Sequence, residues 1–273
     1  MGIAALWPGA ATARLTPVIG KPYRLILVEE RRDDRGVQRF VSERRLVFQA
    51  LATGIALDLT ITSNTAPQGG PGAMFAAAMS GLKGRTIRFL LDADGQVTGI
   101  DDEDAVWSAL CDAIDRAADA TVTGSPARDR AARSMAAAFR SLPADRRRAM
   151  LTSMATPALA GSLASQQRER DVAISLPARS PTGATAMLPG REMVRLVGDR
   201  TIIITTMAEG DVAAPDAAIV GTAHIKVSIT RMIDQSAGLM LESREERETT
   251  IGQGADARRS SSVSTSRLIG PVF

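Results

Sequence analysis

Apolar and polar residues alternate with a period of two over residues 22–101, give way to an Ala- and Arg-rich stretch with helical spacing over 102–165, and alternate again over 170–269. Period two is the signature of half-buried strands, and the 3.6-residue spacing between them is that of amphipathic helices. A helical insert flanked by two strand-rich blocks restricts the fold to helices packed against a large antiparallel sheet. The cleanest strand is 55–62, where Ile55, Leu57, Leu59 and Ile61 point one way and Ala56, Asp58, Thr60 and Thr62 the other. One dry face and one wet face characterise an antiparallel rather than a parallel sheet.

The other elements follow from local signals. Tyr23–Val28 and Val37–Phe48 read as strands, and Ala73–Leu82 reads as a short helix. Two strands flank Asp92-Ala-Asp-Gly95, with the glycine placed for a left-handed turn residue. The two aspartates do not make a calcium loop, because Leu90 stands where an oxygen ligand is required. Asp101–Asp104 caps a helix whose stripe is Val106, Trp107, Leu110, Cys111 and Ile114. A second helix opens at Ser125-Pro126 and carries Met135, Phe139 and Leu142; a third follows Ala144, with Arg146–Arg148 on a solvated face. Strands are then expected at 172–176, 193–197, 201–207 and 219–233, followed by a turn at Gly238 and a charged return strand over 239–249. The Ser-rich stretch 260–268 reads as an edge strand.

This layout predicts an α+β fold: one large, curved, half-barrel-like antiparallel sheet with a three-helix insert on its concave face. The expected organisation is a single domain over 14–273. Residues 1–13 are uncharged and end in the small-x-small triplet Ala11-Thr12-Ala13, which reads as the remnant of a secretory signal peptide and places the chain in the periplasm. No apolar run approaches the ~18 residues of a membrane span.

Composition narrows the function classes. The net charge is only +3, and all but three of the 33 basic residues are arginine. A GC-rich coding sequence accounts for the arginine and alanine excess more simply than phosphate recognition does. Aromatic residues are 3% of the chain, too few for the stacking platforms that accompany nucleic-acid grooves. His224 is the only histidine and sits among polar strand neighbours, so neither a zinc site nor a Ser-His-Asp arrangement can be built around it. Ser80-x-x-Lys83 lacks the companion motifs of penicillin-recognising enzymes. Cys111 lies on a helix core stripe as a small hydrophobe. The reading is therefore non-catalytic, with no metal and no cofactor.

Three stretches carry a resemblance. They are Leu82-Lys-Gly-Arg-Thr-Ile-Arg-Phe-Leu-Leu-Asp-Ala-Asp-Gly-Gln-Val97, the insert ending in Phe139-Arg-Ser-Leu-Pro143, and the long strand Gly221–Ile233 with its turn at Gly238 and charged return strand. In this order they resemble an uncharacterised family of exported bacterial proteins related in architecture to the lipoprotein-localisation-factor half-barrel (the LolA-like fold). The resemblance covers most of the chain after Tyr23 and implies a layout without catalytic residues. The chain lacks the lipobox cysteine of many lipoprotein relatives, which implies a soluble exported form.

A curved sheet with helices across its hollow encloses apolar space. The expectation is a binding or carrier protein with a cavity for lipid, acyl chain or lipoprotein, lined by Leu57, Leu59, Trp107, Leu110, Ile114, Met135, Phe139, Met150, Ile225 and Val227. The alternative is a cell-envelope module that meets another protein through its sheet or sheet edge and holds no small ligand.

Overall fold

A computed structural model describes residues 15–34, 36–67, 70–120, 126–166, 168–179, 185–213, 222–252 and 257–271. The leader over 1–13 and the expected cap at Ser125 lie outside them. The strands are β1 (Pro22–Asp33), β2 (Gly36–Ala50), β3 (Ile55–Thr65), β4 (Thr86–Leu91), β5 (Val97–Ile100), β6 (Arg170–Arg179), β7 (Thr185–Val197), β8 (Thr201–Val212), β9 (Ala223–Asp234), β10 (Leu239–Ile251) and β11 (Arg258–Ile269). The helices are α1 (Gly70–Leu82), α2 (Glu103–Ala120), α3 (Pro126–Arg140) and α4 (Ala144–Thr152), followed by two 3-10 turns at Thr156–Ala158 and Gly161–Ser165. The fold is α+β, with one open, curved antiparallel sheet.

All eleven strands of the described residues belong to that sheet, in the order β5-β4-β3-β2-β1-β11-β10-β9-β8-β7-β6. Each half is a meander, and the first and last strands join the halves. The Ser-rich β11 is therefore not an edge. It pairs with β1 from Arg24↔Ile269 to Arg32↔Ser261 and with β10 from Glu242↔Arg267 to Ile251↔Arg258. Its small polar side chains mimic an edge pattern, although the 3-10 turn at Thr156–Ala158 lies against it.

The true edges are β5 and β6, the strands on either side of the helical insert. The chain must travel from one edge of the sheet to the other, and the insert does so across one face. The C-terminal part of the insert is tied down near the β9–β10 turn. The Ala160 amide donates to the Gly238 carbonyl at 3.1 Å, and Gln235 Nε2 donates to the carbonyls of Ala164 and Gln166 at 3.3 and 2.6 Å.

Curvature shows in one contact. A guanidinium N–H of Arg247, on β10, donates to the carbonyl of Arg179 at the end of β6. In a flat sheet these strands would lie four spacings, about 19 Å, apart. The far half of the sheet has therefore rolled inward. It holds two core clusters: Ala178, Leu188, Ala208, Val212, Ile225, Val227 and Ile229, from strands alone, and Val194, Ile202, Ile204, Ile233 and Met240, which pack on Ala160 and Ala164 of the insert. The near half is different: Leu46, Phe48, Leu57, Leu59, Ile61, Ile87 and Phe89 form one buried cluster with Leu82 of α1, Trp107, Leu110, Cys111 and Ile114 of α2, and Leu151 of α4.

Local chemistry sets the joints. Asp92 accepts the amides of Asp94 and Gln96 on one carboxylate oxygen at 3.0 and 2.8 Å, and Gly95 takes φ +78°, so the expected Asp-Gly turn forms. Helix α1 starts at Gly70, ahead of the expected Ala73, because Pro71 is compatible with a first helical turn. Helices α1 and α2 approach closely at Gly81, where a Cβ would lie 2.6 Å from the Ala109 carbonyl oxygen and the Ala113 methyl. The Arg146–Arg148 face is not simply solvated. Arg148 Nε meets Glu103 Oε2 at 2.8 Å and Arg147 Nη1 meets Asp104 Oδ1 at 3.3 Å, tying α4 to the first turn of α2. No described helix is long and apolar enough to cross a membrane.

Candidate functional site

Two cavities lie between the sheet and the helical insert. The drier one, about 340 Å³, lies beneath the helices. Helix α1 supplies Phe75, Ala78 and Met79; α2 supplies Leu110 and Ile114; α3 supplies Met135 and Phe139; α4 supplies Met150 and Leu151, with Ser153 and Met154 beyond it. From the sheet comes a single side chain, that of Arg44 on β2. Helix α3 is held over α2 by the Trp107 and Phe139 rings, stacked with centroids 4.9 Å apart, and by Arg140, which bridges Asp112 at 2.7 Å and Asp115. The hydrogen bond from Arg140 holds the Asp112 carboxyl below the usual carboxylate range.

Five of the ten residues expected to line a cavity meet here: Leu110, Ile114, Met135, Phe139 and Met150. Met135 and Met150 are rim rather than lining deep in the core, being 51% and 39% exposed. Leu57, Leu59 and Trp107 belong to the solid core behind the cavity. Ile225 and Val227 do not reach it; they are packed in the rolled far half of the sheet. Alternation placed them on a buried face, but a face buried by the sheet's own curl offers them no helix to oppose.

Arg44 was not among the expected residues. It is 8% exposed. One guanidinium N–H donates to the Met154 carbonyl, and Nε donates to the Ser42 hydroxyl at a long 3.4 Å. Among the described residues no carboxylate pairs with it. Burial pushes its pKa down to about 10, so it stays protonated at neutral pH. The sequence did carry a signal. Successive strand residues point to opposite faces, so in Arg44-Arg45 one arginine has to face inward.

The wetter cavity, about 620 Å³, lies over the central strands beneath the 3-10 turns and the β4–β5 turn. Its floor includes Leu27, Arg231, Met240, Ser243, Glu245, Ser264 and Ser266. The buried Ser266 hydroxyl has no hydrogen-bond partner among the described residues. This is the face of β11 that carries its serines in alternate positions.

The two residues that tempt a catalytic reading stand apart. His224 is exposed, and its Nδ1 lies 2.9 Å from Asp211 Oδ1 on the neighbouring strand. Cys111 is 1% exposed in the near core. Burial pushes its thiol pKa up, with the Arg140 charge acting in the opposite direction. We expect Cys111 to react with a thiol reagent only at the rate at which the native protein opens. Rapid stoichiometric labelling of folded protein would contradict this placement. No protein-family model matches the chain, and no curated protein shows significant sequence similarity to it.

Proposed function

We propose that this chain is a non-catalytic binding or carrier protein of the periplasm, and that the cavity beneath its helices receives an acyl chain or a comparable hydrocarbon segment. The observation that carries the reading is the lining of the drier cavity. Phe75, Leu110, Ile114, Phe139 and Leu151 are joined there by four methionines, Met79, Met135, Met150 and Met154. Its volume of about 340 Å³ lies within the range of small-molecule sites. Methionine side chains are unbranched and polarizable and re-pack around ligands of varied shape, which suits chains differing in length or saturation. The uncharged, Ala-rich leader supports export, and the half-barrel layout agrees with a carrier.

The neutral dye Nile red tests this. Intact protein should give a saturable rise in fluorescence. Met135 and Met150 are exposed at the rim, so Met135→Glu with Met150→Glu should leave the fold intact while weakening the dye about tenfold or more, the effect of placing charge on an apolar entrance at a cost of about 1–3 kcal/mol. A folded wild-type protein with no saturable dye binding would remove the carrier reading.

The interaction-module reading has one observation in its favour. Strand β6 is a sheet edge ten residues long, against four for β5 at the other edge. An unpaired edge of that length can accept a strand from another protein. It becomes the preferred reading if no apolar ligand binds.

A further inference from the structure

We propose that Arg44 is the anion-binding end of the drier cavity, and that the ligand taken there is a monoanionic amphiphile, a carboxylate on a hydrocarbon chain, rather than a neutral lipid. This rests on the carrier reading and names the head group that goes with the chain.

The argument starts from cost. A buried cation is expensive unless it is paired, and buried charges in proteins are ordinarily given a counter-ion. This chain has 30 acidic residues, and it pairs exposed arginines freely: Arg88 with Asp58 at 2.7 Å, Arg140 with Asp112, Arg191 with Asp171 at 2.8 Å. Yet the deeply buried Arg44 has only neutral oxygens, those of Met154 and Ser42, as partners among the described residues. A guanidinium has five N–H donors in a planar fork, and these two contacts leave most of them unused. The fork matches a carboxylate bidentately.

The surroundings define the rest of the ligand. Apart from Arg44 and Ser153, every described residue lining the cavity is apolar. One fixed positive charge in such a pocket matches one negative charge; a dianion would retain an uncompensated charge. The same walls solvate a hydrocarbon tail. Head and tail chemistry therefore meet in a single space, with the head toward β2 and the tail among the helices.

The experiment is calorimetric titration of the intact protein with dodecanoate and with dodecan-1-ol at neutral pH, repeated on Arg44→Met and Arg44→Lys. Wild type should bind dodecanoate at least about tenfold more tightly than the alcohol, as expected for a buried charge-assisted hydrogen bond. Arg44→Met should lose the preference and bind the two with equal affinity, and Arg44→Lys should keep part of it. Equal affinities in wild type would overturn the anionic head group and leave the carrier reading standing. Persistence of the preference in Arg44→Met would overturn the role of Arg44. Binding of neither ligand would overturn the carrier reading itself. Should Arg44→Met fail to fold, the wild-type comparison and Arg44→Lys decide.

Discussion

Truncation after Ile251, which removes β11, is expected to leave no cooperatively folding protein. Strand β11 is bonded along both sides, to β1 and to β10, over nine and ten residue pairs respectively. Without it the sheet falls into two five-stranded pieces, each with a new long, unpaired edge. Such edges are templates for association with other chains. Circular dichroism should show no sharp thermal transition, and gel filtration should show aggregated material. A soluble monomer melting near the wild-type temperature would mean that β11 is an edge after all, as its serine content first suggests.

Phe48→Ala is the point substitution with the largest expected cost. The ring is fully buried, packs edge-to-face on Tyr23 with centroids 5.5 Å apart, and stands opposite Leu57 in the register of β2 and β3. Deleting a buried phenyl ring typically costs about 3–5 kcal/mol, from lost transfer free energy and the cavity left behind. At roughly 2–4 °C per kcal/mol for a chain of this size class, the melting temperature should fall by about 6–20 °C. Val197→Ala, at a half-exposed site on β7, is the control and should change stability by no more than about 0.5 kcal/mol. A small shift for Phe48→Ala would mean that the near core is loosely packed.

Most of the elements were legible because each carries a local signal. Alternation located the strands, Asp92 and Gly95 their turn, and the Val106–Ile114 stripe a helix whose buried face matches it. What alternation cannot reveal is what covers a buried face. Leu57 and Val227 have the same pattern around them, yet one is covered by helices and the other by the rolled sheet. Pairing over long sequence separation was equally hidden. Nothing near Ser260–Leu268 says that its partner is β1, because that choice is made by the whole sheet. The candidate site was half visible: its apolar lining follows from helix stripes, whereas Arg44 was masked by bulk composition, since arginine is common in this chain and ordinarily exposed.

The junction of β1 with β11 also sets a timetable for synthesis. The pairing of Arg24 with Ile269 joins residues far apart along the chain, the second made long after the first. During elongation the β1–β5 meander can form, but β1 keeps a bare flank until residue 269 has cleared the ribosome. Contacts of such separation make folding slow, and incomplete sheets of this kind are prone to aggregate. A sheet that cannot close its centre until β11 is made stays incomplete longer. That delay leaves the flank of β1 open to other chains for as long as β11 is missing.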